Sequence, residues 1–433
     1  MYHDSRSLLL TNTPMRRRFA TSVFALIVVL ICMGTALNLL SLGSRFAPID
    51  PVYLQIRSVV AVMGIATLFL MGWRYCVRLP KSVLKKSILW FLLGSVVTLS
   101  GVANASRGGI ADGMWLAIGV PLLFFVLVPK VLGEGTFRAA AGVLIVSAIP
   151  YVILSLATVP IEYPYRGILG NPNQMGILMA GVGWGLLGLI YSSYVNREDA
   201  RLMAYVVLEA CVFTLILFTG SRSSLISTTL AATVTFIAMV RDRPVFRARV
   251  VLMTGFMLVA VATVYLGIGW DLMIVVEGII EKQQQKSVDG LLSGREVAWM
   301  WAFDNLTLLG HGQGAILDAV GMSSHNSFIS ILNDYGVIAV LLLLAIAVYG
   351  LLRAIKYYSA SRVTNPGALF PLIVFVGFWT LAMTEGLFGS IGRGVTVAFF
   401  IVYGIVIVGV PKSDMYKGLF RRLLWRQRII DNR

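Results

Sequence analysis

Cysteine, histidine, acidic residues and charge of any kind are scarce in this sequence. Its three cysteines, Cys32, Cys76 and Cys211, have neither metal-ligand spacing nor the even count of a disulfide framework, so neither a zinc module nor a stapled secreted scaffold is expected. Asp and Glu number 20 against 36 Lys and Arg. The stretches between apolar runs hold no Asp-x-Asp pair and no dense group of carboxylates, which argues against a divalent-metal site; no metal and no cofactor are expected. Only 13% of the residues are charged while 58% are hydrophobic, too little charge to cover the surface of a soluble protein of this length.

What fills the chain instead is apolar runs. Crossing a bilayer as a helix takes roughly 20 apolar residues. Twelve such stretches are present: about 19–42, 54–73, 84–103, 113–132, 138–158, 174–194, 201–219, 223–240, 249–268, 328–352, 368–388 and 394–411. The expected fold is an all-α polytopic membrane protein of about twelve transmembrane helices, a single integral membrane domain over 1–433. The second stretch abuts Arg57 and the eighth is short. The first follows Met15-Arg16-Arg17-Arg18 and is longer than a signal core, so it reads as an uncleaved anchor.

A net charge of +16 suggests nucleic acid at first sight, but a nucleic-acid binder gathers its charge on a face or stripe. Here the charge is sorted by loop. With the N-terminus inside, 27 of the 36 Lys and Arg fall on inner segments, and nine, Arg45, Arg57, Arg107, Arg166, Arg222, Lys282, Lys286, Arg295 and Arg393, fall outside. The positive-inside rule then places both termini in the cytoplasm. The one long polar interruption, residues 270–327 between the ninth and tenth spans, faces outward. No nucleic-acid partner is expected, and the basic C-terminal tail suits a cytoplasmic surface near anionic lipid.

Chemistry is concentrated on that outer face. The turn Arg166-Gly167-Ile168-Leu169-Gly170-Asn171-Pro172-Asn173 breaks helix at Gly170 and Pro172, with Asn171 extended before the proline and Asn173 a candidate cap for the next span. Arg222 lies in the tight turn Thr219-Gly220-Ser221-Arg222-Ser223-Ser224, where an ionisable group beside hydrocarbon calls for an anionic partner. Glu209, inside the seventh span, has no identifiable one. In the long loop, 271–286 has the spacing of an interfacial amphipathic helix, and Arg295–Leu309 reads as a second helix with interface-seeking Trp299 and Trp301. Gly310-His311-Gly312-Gln313-Gly314 is expected to be a flexible turn in which His311 wanders. Ser324-His325-Asn326-Ser327 leads into the tenth span, where Asn326 or Ser327 can cap the helix and a rigid backbone can aim His325.

Histidine is the usual general base near neutral pH, which makes His325 the candidate catalytic residue. Arg166, Arg222, Arg295 and Arg393 share its face, and guanidinium forks bind phosphate oxygens in bidentate fashion. Several of them together can neutralise a pyrophosphate without a metal. On the outer face such a substrate is best delivered on a membrane lipid.

The segments Arg166…Gly170-Asn171-Pro172-Asn173-Gln174-Met175-Gly176, Gly220-Ser221-Arg222-Ser223-Ser224, Ser293-Gly294-Arg295 and His325-Asn326-Ser327-Phe328-Ile329…Tyr335-Gly336-Val337-Ile338 resemble the O-antigen ligase and polymerase superfamily. That superfamily includes O-antigen ligases, O-antigen polymerases and exopolysaccharide polymerases. The resemblance runs from about Arg166 to Leu352. It implies a metal-independent, inverting glycosyltransferase in a bacterial inner membrane, with the long loop periplasmic and an undecaprenyl-pyrophosphate-linked glycan as donor. The acceptor is a lipid-linked chain or lipid A core, and a chain-length regulator is an expected partner. His325 would deprotonate the acceptor hydroxyl, Arg222 and Arg166 would hold the leaving pyrophosphate, and Arg295 would complete the clamp, with Asn173 and Asn326 in support. Polymerisation of repeat units is the favoured reading and ligation to lipid A core the alternative. A lipid-linked oligosaccharide flippase is the alternative of another class, against which stands the lack of an internal repeat.

Overall fold

The computed structural model describes residues 81–129, 136–146, 148–169, 171–242, 255, 295–363, 365–388 and 394–409. Among these the regular structure is all helical, with no strand. In chain order the helices are α1 (Ile88–Ala103), α2 (Arg107–Leu127), α3 (Thr136–Val146), α4 (Ile149–Thr158), α5 (Pro172–Asn196), α6 (Asp199–Thr219), α7 (Arg222–Asp242), α8 (Arg295–Asp304), α9 (Ala315–Val320), α10 (Ser327–Ser361), α11 (Phe370–Ala382) and α12 (Gly394–Val408). Six helical segments, α2, the stretch Ala140–Thr158, α5, α6, α7 and α10, are long and apolar enough to cross a membrane. At 21 residues α7 is not the short span that 223–240 suggested. The expected spans 19–42, 54–73 and, apart from residue 255, 249–268, together with the amphipathic stretch 271–286 and Arg393, lie outside the described residues.

Helices α5, α7 and α10 bring their C-terminal ends together, which gives the bundle two distinct ends. At one end Asp242 gathers three partners: Tyr191 donates to its Oδ2 at 2.6 Å, Tyr358 to the same oxygen at 2.7 Å and Arg362 to Oδ1 at 2.8 Å. Those contacts pin the ends of α5, α7 and α10 together. The far ends of the same helices carry Asn173, Arg222 and Ser327. Between the ends lies an aromatic core in which Phe378 and Phe399 stack at 4.1 Å, with Trp90, Phe125, Phe375 and Tyr403 buried around them.

Helix α10 is broken. Gly336 adopts φ 88° and ψ −180°, a conformation that only glycine takes readily, and a Cβ there would collide with the Leu308 carbonyl. A break in an apolar helix frees backbone groups that need new partners. The loop after α8 supplies them: Val337 N–H donates to Thr307 O at 3.0 Å, His311 N–H to Asn333 O at 2.9 Å and Gly312 N–H to Asp334 O at 3.0 Å. Asn104, just past α1, donates to Gly310 O at 3.2 Å, and both Gln313 and Tyr335 donate to Asp112 on α2, at 3.4 and 3.0 Å. The loop is therefore a wedge driven into α10 and tied to α1 and α2. His311 does not wander as its glycine-rich setting suggested: its Nε2 lies 2.6 Å from Asn305 O and its ring packs 5.4 Å from Trp301.

Candidate functional site

The break makes Ser327–Tyr335 a short, separately aimed helix at the start of α10. Asn326 caps it, its Oδ1 accepting from Phe328 N at 2.8 Å and Ile329 N at 3.2 Å. This use of a side chain at a helix start was legible from the sequence. With Oδ1 committed, only the amide NH2 of Asn326 is left to meet a ligand. Ser327 Oγ donates to Glu385 O at 2.9 Å and accepts from Leu387 N at 2.9 Å and Phe388 N at 3.2 Å, joining the helix start to the end of α11.

His325 stands just before that cap with φ +46°, in the left-handed region that non-glycine residues seldom occupy. Strain of this kind persists where surroundings over-determine it, and it concentrates at functional sites. The surroundings are Ser324, whose Oγ lies 2.7 Å from Ser330 Oγ and donates to Asn326 O at 3.2 Å, and Trp299, whose indole N–H donates to Ser324 O at 2.9 Å. The imidazole is 46% exposed and its Nδ1 lies 3.6 Å from Glu385 Oε2.

Glu385 is the residue that sequence reasoning missed. It lies just past α11 with its side chain 8% exposed, between His325 and Arg295. Arg295, the first residue of α8, donates from one terminal nitrogen to Thr384 O at 2.9 Å and sets the other 3.8 Å from Glu385 Oε1. A buried carboxylate needs a counter-charge, and Arg295 provides it. Both terminal nitrogens of Arg295 thus face the α11 end, with Glu385 as its carboxylate partner. Nδ1 is thus the ring nitrogen of His325 that faces the carboxylate, while Nε2 is the other. One signal in the sequence pointed this way: Glu385 is the only acid between Asp334 and Asp414, and it sits at the tip of an apolar run.

Arg166 and Arg222 come to the same end of the bundle on neighbouring turns. Tyr165 N–H donates to Phe218 O at 2.8 Å and Ile168 N–H to Ser155 Oγ at 3.0 Å, so the backbone on both sides of Arg166 is anchored. Four residues beyond Phe218, Arg222 opens α7, where unpaired backbone N–H groups also favour an anion. Both side chains are exposed, with no hydrogen bond or ion pair among the described residues. Beside Arg222, burial pushes the Tyr163 phenol up from its ordinary value and the guanidinium draws it partly back. The cap of α5 is Asn171, whose side chain accepts from Asn173 N at 2.9 Å. Asn173 is therefore not the cap that the sequence suggested; its half-buried carboxamide makes no hydrogen bond among the described residues.

The two halves of the site are linked through α7 and α11, where Ser227 Oγ donates to Gly377 O at 2.9 Å. Arg222 lies five residues from the α7 side of that contact and Glu385 eight from the α11 side, so their depths differ by about one helical turn. Among the described residues no cluster of three or more His, Cys, Asp or Glu is placed to hold a metal ion. No protein-family model matches the chain, and no curated protein matches its sequence.

Proposed function

We propose that the protein is a membrane-embedded glycosyltransferase that polymerises lipid-pyrophosphate-linked oligosaccharide repeat units on the periplasmic face of a bacterial inner membrane. The observation that carries this reading is the contact chain Arg295, Glu385, His325 at the bundle end that also holds Arg166 and Arg222, which have no hydrogen bond or ion pair among the described residues. A histidine backed by a carboxylate and two exposed cations suit a reaction in which a proton is taken from one substrate and a pyrophosphate leaves from another. The resemblance of these segments to O-antigen ligases and polymerases supplies the substrate class. In this reading both chain termini are cytoplasmic, the chain crosses the membrane about twelve times, and residues 270–327 form the periplasmic loop.

The acceptor hydroxyl approaches the anomeric carbon of the donor from the side opposite the pyrophosphate. As the new C–O bond forms, Nε2 of His325 takes the hydroxyl proton and Glu385 stabilises the imidazolium. The bond from the anomeric carbon to the pyrophosphate oxygen breaks with its electron pair, and the configuration inverts. Arg166 and Arg222 neutralise the lipid pyrophosphate as it leaves; preorganised stabilisation of this kind supplies several kcal/mol. Arg295 acts one step back by fixing Glu385. In this reading Asn173 and the amide NH2 of Asn326 bind sugar hydroxyls.

The test uses the purified chain in lipid bilayers with an undecaprenyl-pyrophosphate-linked oligosaccharide. A ladder of lengthening glycan without lipid A core supports the polymerase, whereas transfer only when core is added identifies a ligase. Passage of the intact donor across the bilayer with no new glycosidic bond would show a flippase and overturn the reading.

A further inference from the structure

Below the arginine-bearing turns, three buried oxygens lack hydrogen-bond partners among the described residues. Glu209, near the middle of α6, has no solvent exposure, and neither of its carboxyl oxygens has such a partner. A Cβ added to Gly183 on α5 would lie 3.1 Å from Glu209 Oε1 and 3.1 Å from the methyl carbon of Thr228 on α7. Thr228 is itself fully buried, and its Oγ1 is the third such oxygen. Gly183 leaves room for the carboxyl beside the Thr228 methyl at the junction of α5, α6 and α7.

No counter-charge faces this pocket among the described residues. On α7 the charged residues are Arg222 at one end and Arg241 and Asp242 at the other, and α5 holds none within its length. On α6, Asp199 and Arg201 lie at the far end, Tyr205 is one turn away and Cys211 faces outward. An ionised carboxylate in apolar surroundings is sustained only by an opposite charge or a full set of hydrogen bonds. A bound metal cation would need about six oxygen ligands, and the unpartnered side-chain oxygens at this junction number at most three among the described residues. A single proton removes the charge and leaves a neutral carboxyl among apolar neighbours.

We propose that Glu209 is an intramembrane proton-binding site: a carboxylic acid kept neutral beside Gly183 and Thr228 at the junction of α5, α6 and α7. The site is separate from the glycosyl-transfer chemistry. It underlies that chemistry in space, since Thr228 is about 9 Å along α7 from Arg222.

The test uses the whole protein in lipid bilayers with N,N′-dicyclohexylcarbodiimide, an apolar reagent that adds to protonated carboxyls within membranes. Peptide mass spectrometry should find the adduct on Glu209 of the wild type, at a yield unchanged by added sodium chloride. Infrared spectra should contain a carboxylic-acid C=O band that Glu209→Gln removes. An unmodified Glu209, or labelling that added sodium suppresses, overturns the proposal, the second outcome assigning the pocket to a metal cation. Because the wild type carries the labelling result, a Glu209→Gln protein that fails to fold leaves the test decisive. Neither readout involves glycan, so the outcome is independent of the proposed transferase activity.

Discussion

At the residue scale the chemistry rests on how His325 is held. Its position was readable because a histidine before an Asn-Ser cap at the mouth of an apolar run can hardly sit anywhere but a span boundary. Glu385 was not readable as its partner, because 60 residues separate the two and nothing local joins Thr384-Glu385-Gly386 to Ser324-His325-Asn326. Only the packing of α10 on α11 through Ser327 joins them. Glu385 is buried behind the imidazole and touches no substrate in this account. Glu385→Gln should therefore lower kcat by roughly a hundredfold or more while leaving KM nearly unchanged. Steady-state kinetics on the reconstituted enzyme checks this, and a rise in KM at unchanged kcat would assign Glu385 to substrate binding instead.

At the scale of elements, the wedge between α8 and α10 decides where the base points. Hydropathy reads 328–352 as one continuous span, and Tyr335-Gly336-Val337 in sequence carries no sign of a break. The break depends on partners from residues 307–312, which no local propensity encodes, and the same contacts explain why His311 is held. Gly336→Ala places a side chain at positive φ and against the Leu308 carbonyl, a strain of about 1–3 kcal/mol. The wedge should shift, the short helix behind His325 should lose its aim, and transfer should fall at least tenfold. Hydrogen-exchange protection of the Val337 amide, which donates to Thr307 O, should weaken in parallel. Full activity with unchanged protection would show that the break does not position the site.

At the scale of the whole molecule, the bundle separates the end tied by Asp242 from the end that carries the proposed site. Hydropathy and the Lys and Arg census made the helical membrane architecture legible, and they put Arg166, Arg222, Arg295 and His325 on one face before any coordinates. They could not show that Arg295 faces Glu385 while Arg166 and Arg222 have no ion pair among the described residues, because pairing is a matter of tertiary distance. The opposite end, tied by Asp242, should answer only to stability. Asp242→Asn leaves Arg362 without its counter-charge and should cost about 3–5 kcal/mol, read as a lowered unfolding midpoint in detergent. The glycosyl-transfer rate of the protein that remains folded should be unchanged.

The most direct test of the central claim counts free lipid pyrophosphate released per glycosidic bond formed, by the wild type and by His325→Ala and Arg222→Ala, in bilayers containing a divalent-metal chelator. The account predicts one release per bond in the wild type despite the chelator. It also predicts a fall of about a hundredfold or more in each variant, with folding intact. Undiminished turnover in His325→Ala, or a wild type that stops when divalent ions are removed, would contradict it.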